Sequence, residues 1–151
     1  MKEEILEAFS NLGFKLEERG ENDYSFEYED IRMLYIYNDD DEDYISISVP
    51  GILGFDDCEM LQMYELMNNV SLTVKYVKAY AVNGNMWLTY EHKLMDGDNL
   101  VDVIYHMIVY LEGAYRFAYK AFCDIDKTDD NGSTDDEIDS TETAADDEDN
   151  K

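Results

Sequence analysis

The chain has 151 residues, enough for one domain with a tail, and 45% of them are hydrophobic, enough for a core. Its 37 acids against 11 Lys and Arg leave a net charge of −26, which argues against direct binding to nucleic acid or to anionic membrane surfaces, since Lys and Arg make those contacts. No run approaches the roughly 20 apolar residues of a membrane span, and the opening MKEEILEAF has acids where a secretory signal has a basic region, so a cytoplasmic location is expected.

Lys2 to Leu12 reads as a first helix, because Ile5, Phe9 and Leu12, with Leu6 beside them, form an i, i+4, i+7 stripe. Its early acids Glu3, Glu4 and Glu7 suit the helix dipole, and Gly13 supplies the stop. The period then changes to two. Phe14 to Glu18 is read as a first strand, and Tyr24, Phe26 and Tyr28 alternate with Ser25 and Glu27 in a second. Ile31 to Tyr37 is apolar on both faces apart from Arg32, as expected of a central strand. The charged run Asn38 to Asp43 must be a loop. Ile45, Ile47 and Val49 then alternate with Ser46 and Ser48 until Pro50-Gly51 ends the strand. Short connections between these strands make an antiparallel meander the natural topology.

Asp56 with Glu59 three residues later matches a capping box and opens a second helix, with Leu61, Tyr64 and Met67, flanked by Met60 and Met63, as its apolar face. Asn68-Asn69 is the expected end, with extension to Ser71 or beyond possible. Leu72 to Tyr76 fits either strand or helix. Asn83-Gly84 is a strong hairpin signal, because a type I′ turn needs positive φ at both positions. A two-residue loop pairs Val82 with Asn85, Ala81 with Met86, Tyr80 with Trp87 and Ala79 with Leu88. One face then carries Val77, Ala79, Ala81, Met86, Leu88 and Tyr90, its small residues suited to close helix packing. The other carries Tyr76, Lys78, Tyr80, Trp87, Thr89 and Glu91, with an aromatic cross-strand pair.

Asp98 or Asn99 caps a last helix running to about Phe122. Leu100, Ile104, Met107, Leu111, Ala114, Ala118 and Phe122 follow its 3.6-residue period. Neighbouring apolar residues widen that stripe to roughly 200°, well past the usual core-facing minimum of about 100°. Such a helix needs cover beyond one sheet, from the first helix or from a second copy of the chain. Residues 124–151 hold 13 acids and 2 bases, with Ile125 and Ile138 as their only large apolar side chains, and are expected to be a disordered acidic tail. The domain is therefore placed at residues 1–123, which themselves carry 24 acids and 9 bases.

No catalytic constellation emerges. His92 sits at a strand end and His106 on the polar side of the last helix, and neither stands at a spacing that pairs it with Cys58, Cys123 or a serine. The cysteines read as free, buried thiols without disulfide or zinc spacing. A calcium loop placed over Gly132 would need ligands at Lys127 and Ile138, which supply none. No cofactor or metal site is expected.

The element order α-β-β-β(-β)-α-β-β-α resembles that of the YbjN-like family, whose fold is similar to that of type III secretion chaperones. The local match comprises Met67-Asn68-Asn69 at a helix end, the Lys78-Ala79-Tyr80 strand, a tight turn and the apolar strand Met86 to Tyr90. The Gly-containing loop Met95 to Asp98 and the final helix complete it. The resemblance implies an α+β domain with an antiparallel sheet and helices packed on one face, often dimeric and without catalysis. Its type III relatives bind unfolded segments of secreted proteins. The expectation is a non-enzymatic protein-binding, chaperone-like or regulatory module, with Tyr76, Lys78, Tyr80, Trp87 and Thr89 as its binding face and a protein partner or a homodimer. The rival readings are a small enzyme or ligand-binding domain using His92 and a carboxylate in a pocket between sheet and helices, and an acidic DNA mimic.

Overall fold

In the computed structural model, which describes residues 1–130 and the side chains of 1–125, the chain forms α1 (Lys2–Asn11), β1 (Glu17–Gly20), β2 (Asp23–Tyr28), β3 (Ile31–Ile36), β4 (Tyr44–Val49), α2 (Met60–Thr73), β5 (Val77–Val82), β6 (Asn85–Lys93) and α3 (Leu100–Asp130). The strands make one antiparallel sheet in the order β1-β2-β3-β4-β6-β5, with all three helices on the same face. The expected element order and α+β class are those observed.

Strand alternation puts Phe26, Met33, Tyr35, Ile45, Ile47, Met86 and Leu88 under the helices, where all are buried. Above them α1 contributes Ile5, Ala8 and Phe9, the last with its ring against Phe26 and Tyr35. The central α3 contributes Ile104, Met107, Ile108, Leu111, Ala114 and Ala118, the stripe its period predicts. Both α1 and α2 pack against α3. Within the chain, then, two helices rather than one cover its wide apolar surface, while Tyr105 and Tyr119 stay exposed.

Four local expectations are corrected. First, β1 starts at Glu17 rather than Phe14, because the Phe14 ring turns inward onto Phe9, Phe26 and Tyr28 and takes its backbone off the sheet edge. Second, α2 starts at Met60. Asp56, the expected cap, lies inside a turn closed by the Asp57 N–H donating to Gly54 O at 2.9 Å and by Asp57 Oδ2 accepting from the Gly54 N–H at 2.7 Å, and the capping box belongs to Glu59 and Gln62. Third, the buried face of α2 is Met63, Leu66, Met67 and Val70, whereas Met60, Leu61, Tyr64 and Leu72 are exposed. Contact with β5 and α3, invisible to periodicity in a helix with apolar residues on two sides, selects that face. Fourth, α3 runs past Phe122 to Asp130, so the boundary expected at Asp124 falls inside a helix. The rest of the expected tail, 131–151, lies outside the described residues.

The hairpin forms as read. Asn83 and Gly84 have φ of 50° and 78°, and β5 pairs with β6 in the anticipated register from Val82–Asn85 to Ala79–Leu88. A Cβ on Gly84 would lie 3.3 Å from the Phe55 ring, a second reason for glycine there. Ala81, near the hairpin tip, is exposed rather than under a helix, so close helix packing stops short of it.

Candidate protein-binding face

The face of the sheet opposite the helices is built by the alternate residues of all six strands, with Glu17 of β1 beside Ser25. Register aligns them in rows. One row crosses the sheet as Ser25, Leu34, Ser48, Thr89 and Lys78. Beside it lies Asp23, Ile36, Ser46 and Glu91; on the other side Glu27 pairs with Arg32 and Trp87 with Tyr80.

Ser25, Leu34, Ser48 and Thr89 are only 3 to 6% exposed although the helices lie on the other side. Three of the four side chains are short, and Ile36, Glu91, Arg32, Tyr80 and Trp87 in the flanking rows are longer, so the row forms the floor of a shallow trough. Ser48 Oγ lies 2.7 Å from Thr89 Oγ1, which lies 2.6 Å from Tyr80 Oη, so three hydroxyls satisfy one another there. The walls are less complete. Ile36 is 47% exposed, Tyr44 40% and Tyr80 37%, and Trp87 is half-buried. Lys78 and Glu91 pair across β5 and β6 on the same face.

Of the five residues expected to form the face, Lys78, Tyr80, Trp87 and Thr89 share it. Tyr76 does not. It precedes β5 with φ of +68°, which turns its ring to the helix side, stacked on Tyr90 at 5.3 Å between centroids and edge-on to His106 and Tyr110. Burial raises the pKa of the Tyr90 hydroxyl beneath it, which lies 3.1 Å from His106 Nδ1. Leu34, Ile36, Tyr44, Ser25 and Ser48 also belong to the open face, beyond the five residues expected there. The signal was there in β3, whose apolar residues on both faces leave Leu34 and Ile36 pointing away from the helices.

The features proposed for chemistry lie elsewhere. His92 does meet a carboxylate, its Nε2 lying 2.9 Å from Asp98 Oδ2, but in the loop joining β6 to α3 rather than between sheet and helices. The same oxygen accepts from the Met95 N–H at 2.9 Å. Together these bonds, that of His92 foremost, hold the Asp98 pKa below its ordinary value, and the pair reads as a loop clasp. Both cysteines are free, as expected, but Cys58 is only half-buried and Cys123 is exposed, where two buried thiols were expected. Burial pushes the Cys58 thiol up, away from the reactive thiolate. Among the described residues no group of three or more His, Cys, Asp or Glu could hold a metal ion, and no helix is long and apolar enough to cross a membrane.

Six antiparallel strands with three helices on one side make a YbjN-like α+β fold. The chain is similar to YbjN from E. coli, described as a candidate transcription regulator, with 11% identity, a TM-score of 0.63, and coverage of 83% of this chain and 93% of that one. It is also similar to an uncharacterized protein from Methanothermobacter thermautotrophicus, with 19% identity, a TM-score of 0.56, and coverage of 83% and 96%. At these identities the likeness shows the fold alone. No protein-family model and no curated protein sequence matches the chain.

Proposed function

We propose that the chain is a non-enzymatic regulatory or protein-binding module, cytoplasmic, whose open sheet face receives a protein partner. The observation that carries this reading is the trough itself. Ile36, Tyr44, Tyr80 and Trp87 stand around a row of buried small side chains on a sheet whose helices all lie on the opposite side. Aromatic and aliphatic side chains left uncovered together mark interaction surfaces more often than catalytic ones. A regulatory role fits the description given to YbjN. With a net charge of −26, such a role would act through proteins rather than through phosphate backbones.

The test is capture with the tagged chain against a Tyr80→Ala, Trp87→Ala variant. The expected result is loss of the proteins retained by the unaltered chain. Retention of the same proteins at the same level would remove this face from consideration.

A second surface favours self-association. Leu61 and Leu72, each 76% exposed, lie on α2 with exposed Met60 and Tyr64, and Glu65 is the only charged residue in that helix. Two copies of so acidic a chain can approach with least repulsion at a stripe whose one charge is Glu65. Sedimentation should show a dimer that Leu61→Glu abolishes; a monomer at high protein concentration would refute it.

A further inference from the structure

Resting on the proposal that the open face binds protein, we infer that its partner is a cationic amphipathic segment. Such a segment would place aliphatic side chains on Ile36 and Tyr44 and lysines or arginines against the acids beside them.

Ile36 ends β3 and Tyr44 begins β4, so the two exposed apolar residues of this corner flank the loop between those strands. That loop carries Asp39, Asp40, Asp41, Glu42 and Asp43 in succession. Among the described residues no lysine or arginine forms an ion pair with any of the five; Asp39 accepts a neutral hydrogen bond from Asn22 at 2.6 Å. The nearby cations are Lys2, which donates to the same Asn22 and feels the charge of Asp39, and Lys93, across from Tyr44 in the register.

A second observation points the same way. Asp23 stands opposite Ile36 on the open face, and its Oδ1 is shielded from water without a hydrogen-bond partner. An unmatched carboxylate oxygen is unfavourable, and a donor from outside would relieve it. The side chain as a whole is only half-buried, so it can present its carboxylate to an incoming ammonium or guanidinium group. Apolar side chains give such a segment its contact area, and the charge of the chain raises its encounter rate and rejects acidic competitors. An anionic partner meets Asp23 and five loop acids; a neutral one leaves their charge uncompensated.

The test uses three synthetic peptides of equal length, alternating leucine with lysine, leucine with glutamate, and serine with lysine. Each is titrated by calorimetry into the full chain, into Asp23→Asn and into Ile36→Ser, Tyr44→Ser, with the emission of Trp87, the single tryptophan, followed in parallel. The leucine–lysine peptide should bind at least about tenfold more tightly than either of the others. It should weaken severalfold at high salt and in Asp23→Asn, and lose most of its affinity for the Ile36, Tyr44 variant. Equal binding of the serine–lysine peptide, or unaltered affinity for the Ile36, Tyr44 variant, would reduce the effect to general charge attraction and overturn the inference. Preference for the leucine–glutamate peptide would overturn the cationic partner while keeping the face. No binding by any of the three peptides would overturn the inference, and if capture were also unaffected by Tyr80→Ala, Trp87→Ala, the face itself would fall.

Discussion

The two faces of this one sheet are made from the same strands by strict alternation, yet they are finished differently. On the helix side Leu88 and Ile47 lie fully buried beneath helices. On the open side Leu34 is nearly as inaccessible, at 4% exposure, among short hydroxyl side chains and longer neighbours. Low exposure thus arises in two ways, by a second layer or by tall flanking rows, and the two differ in packing. A second layer supplies close contacts all round, whereas a trough supplies them at the base and sides and leaves the top to water or a partner.

Substitution can break that distinction. Leu88→Ala should cost about 2 to 5 kcal/mol, the range for a leucine with packing on all sides, while Leu34→Ala should cost about half as much. Equal losses in urea midpoints would mean that the open face is a second core rather than a surface. A smaller effect is expected from Thr89→Val, which leaves Ser48 and Tyr80 without their shared partner, at about 1 to 2 kcal/mol. Adding Ser48→Ala to it should cost less than the sum of the two single losses, since both act on one bond. Strict additivity would show that the hydroxyl row is not a unit.

The smallest effect concerns the loop clasp at the edge of the helix side. The Asp98 carboxyl is held below its ordinary value, so its ionised form is favoured by folding. Its contribution is fully present above the ordinary carboxylate range of about pH 4 and is lost as pH falls through the lower folded value. Asp98→Asn should therefore narrow its stability deficit relative to the unaltered chain between about pH 5 and pH 2. A difference between the two chains that stays constant over that window would show that the clasp does not titrate.

Much of this was legible without coordinates. Asn83-Gly84 set the hairpin and its register because few residue pairs tolerate two positive φ values in succession. The 3.6-residue period from Leu100 to Ala118 set the buried stripe of α3. Alternation in β2, β3 and β4 separated two faces, and the net charge argued against phosphate binding before any surface was drawn. These are local or additive properties, fixed by each residue and its near neighbours in the chain. What tertiary structure alone decided was choice among local equals. α2 carries apolar residues on two sides, and only contact with β5 and α3 chose Met63, Leu66 and Val70 over Leu61 and Tyr64. Tyr76 could have continued β5, but its positive φ moved the ring to the opposite face. The trough, finally, required four strands to bring Ser25, Leu34, Ser48 and Thr89 into one row. No window along the chain contains those residues together, because hydrogen bonding between distant strands is what makes them neighbours.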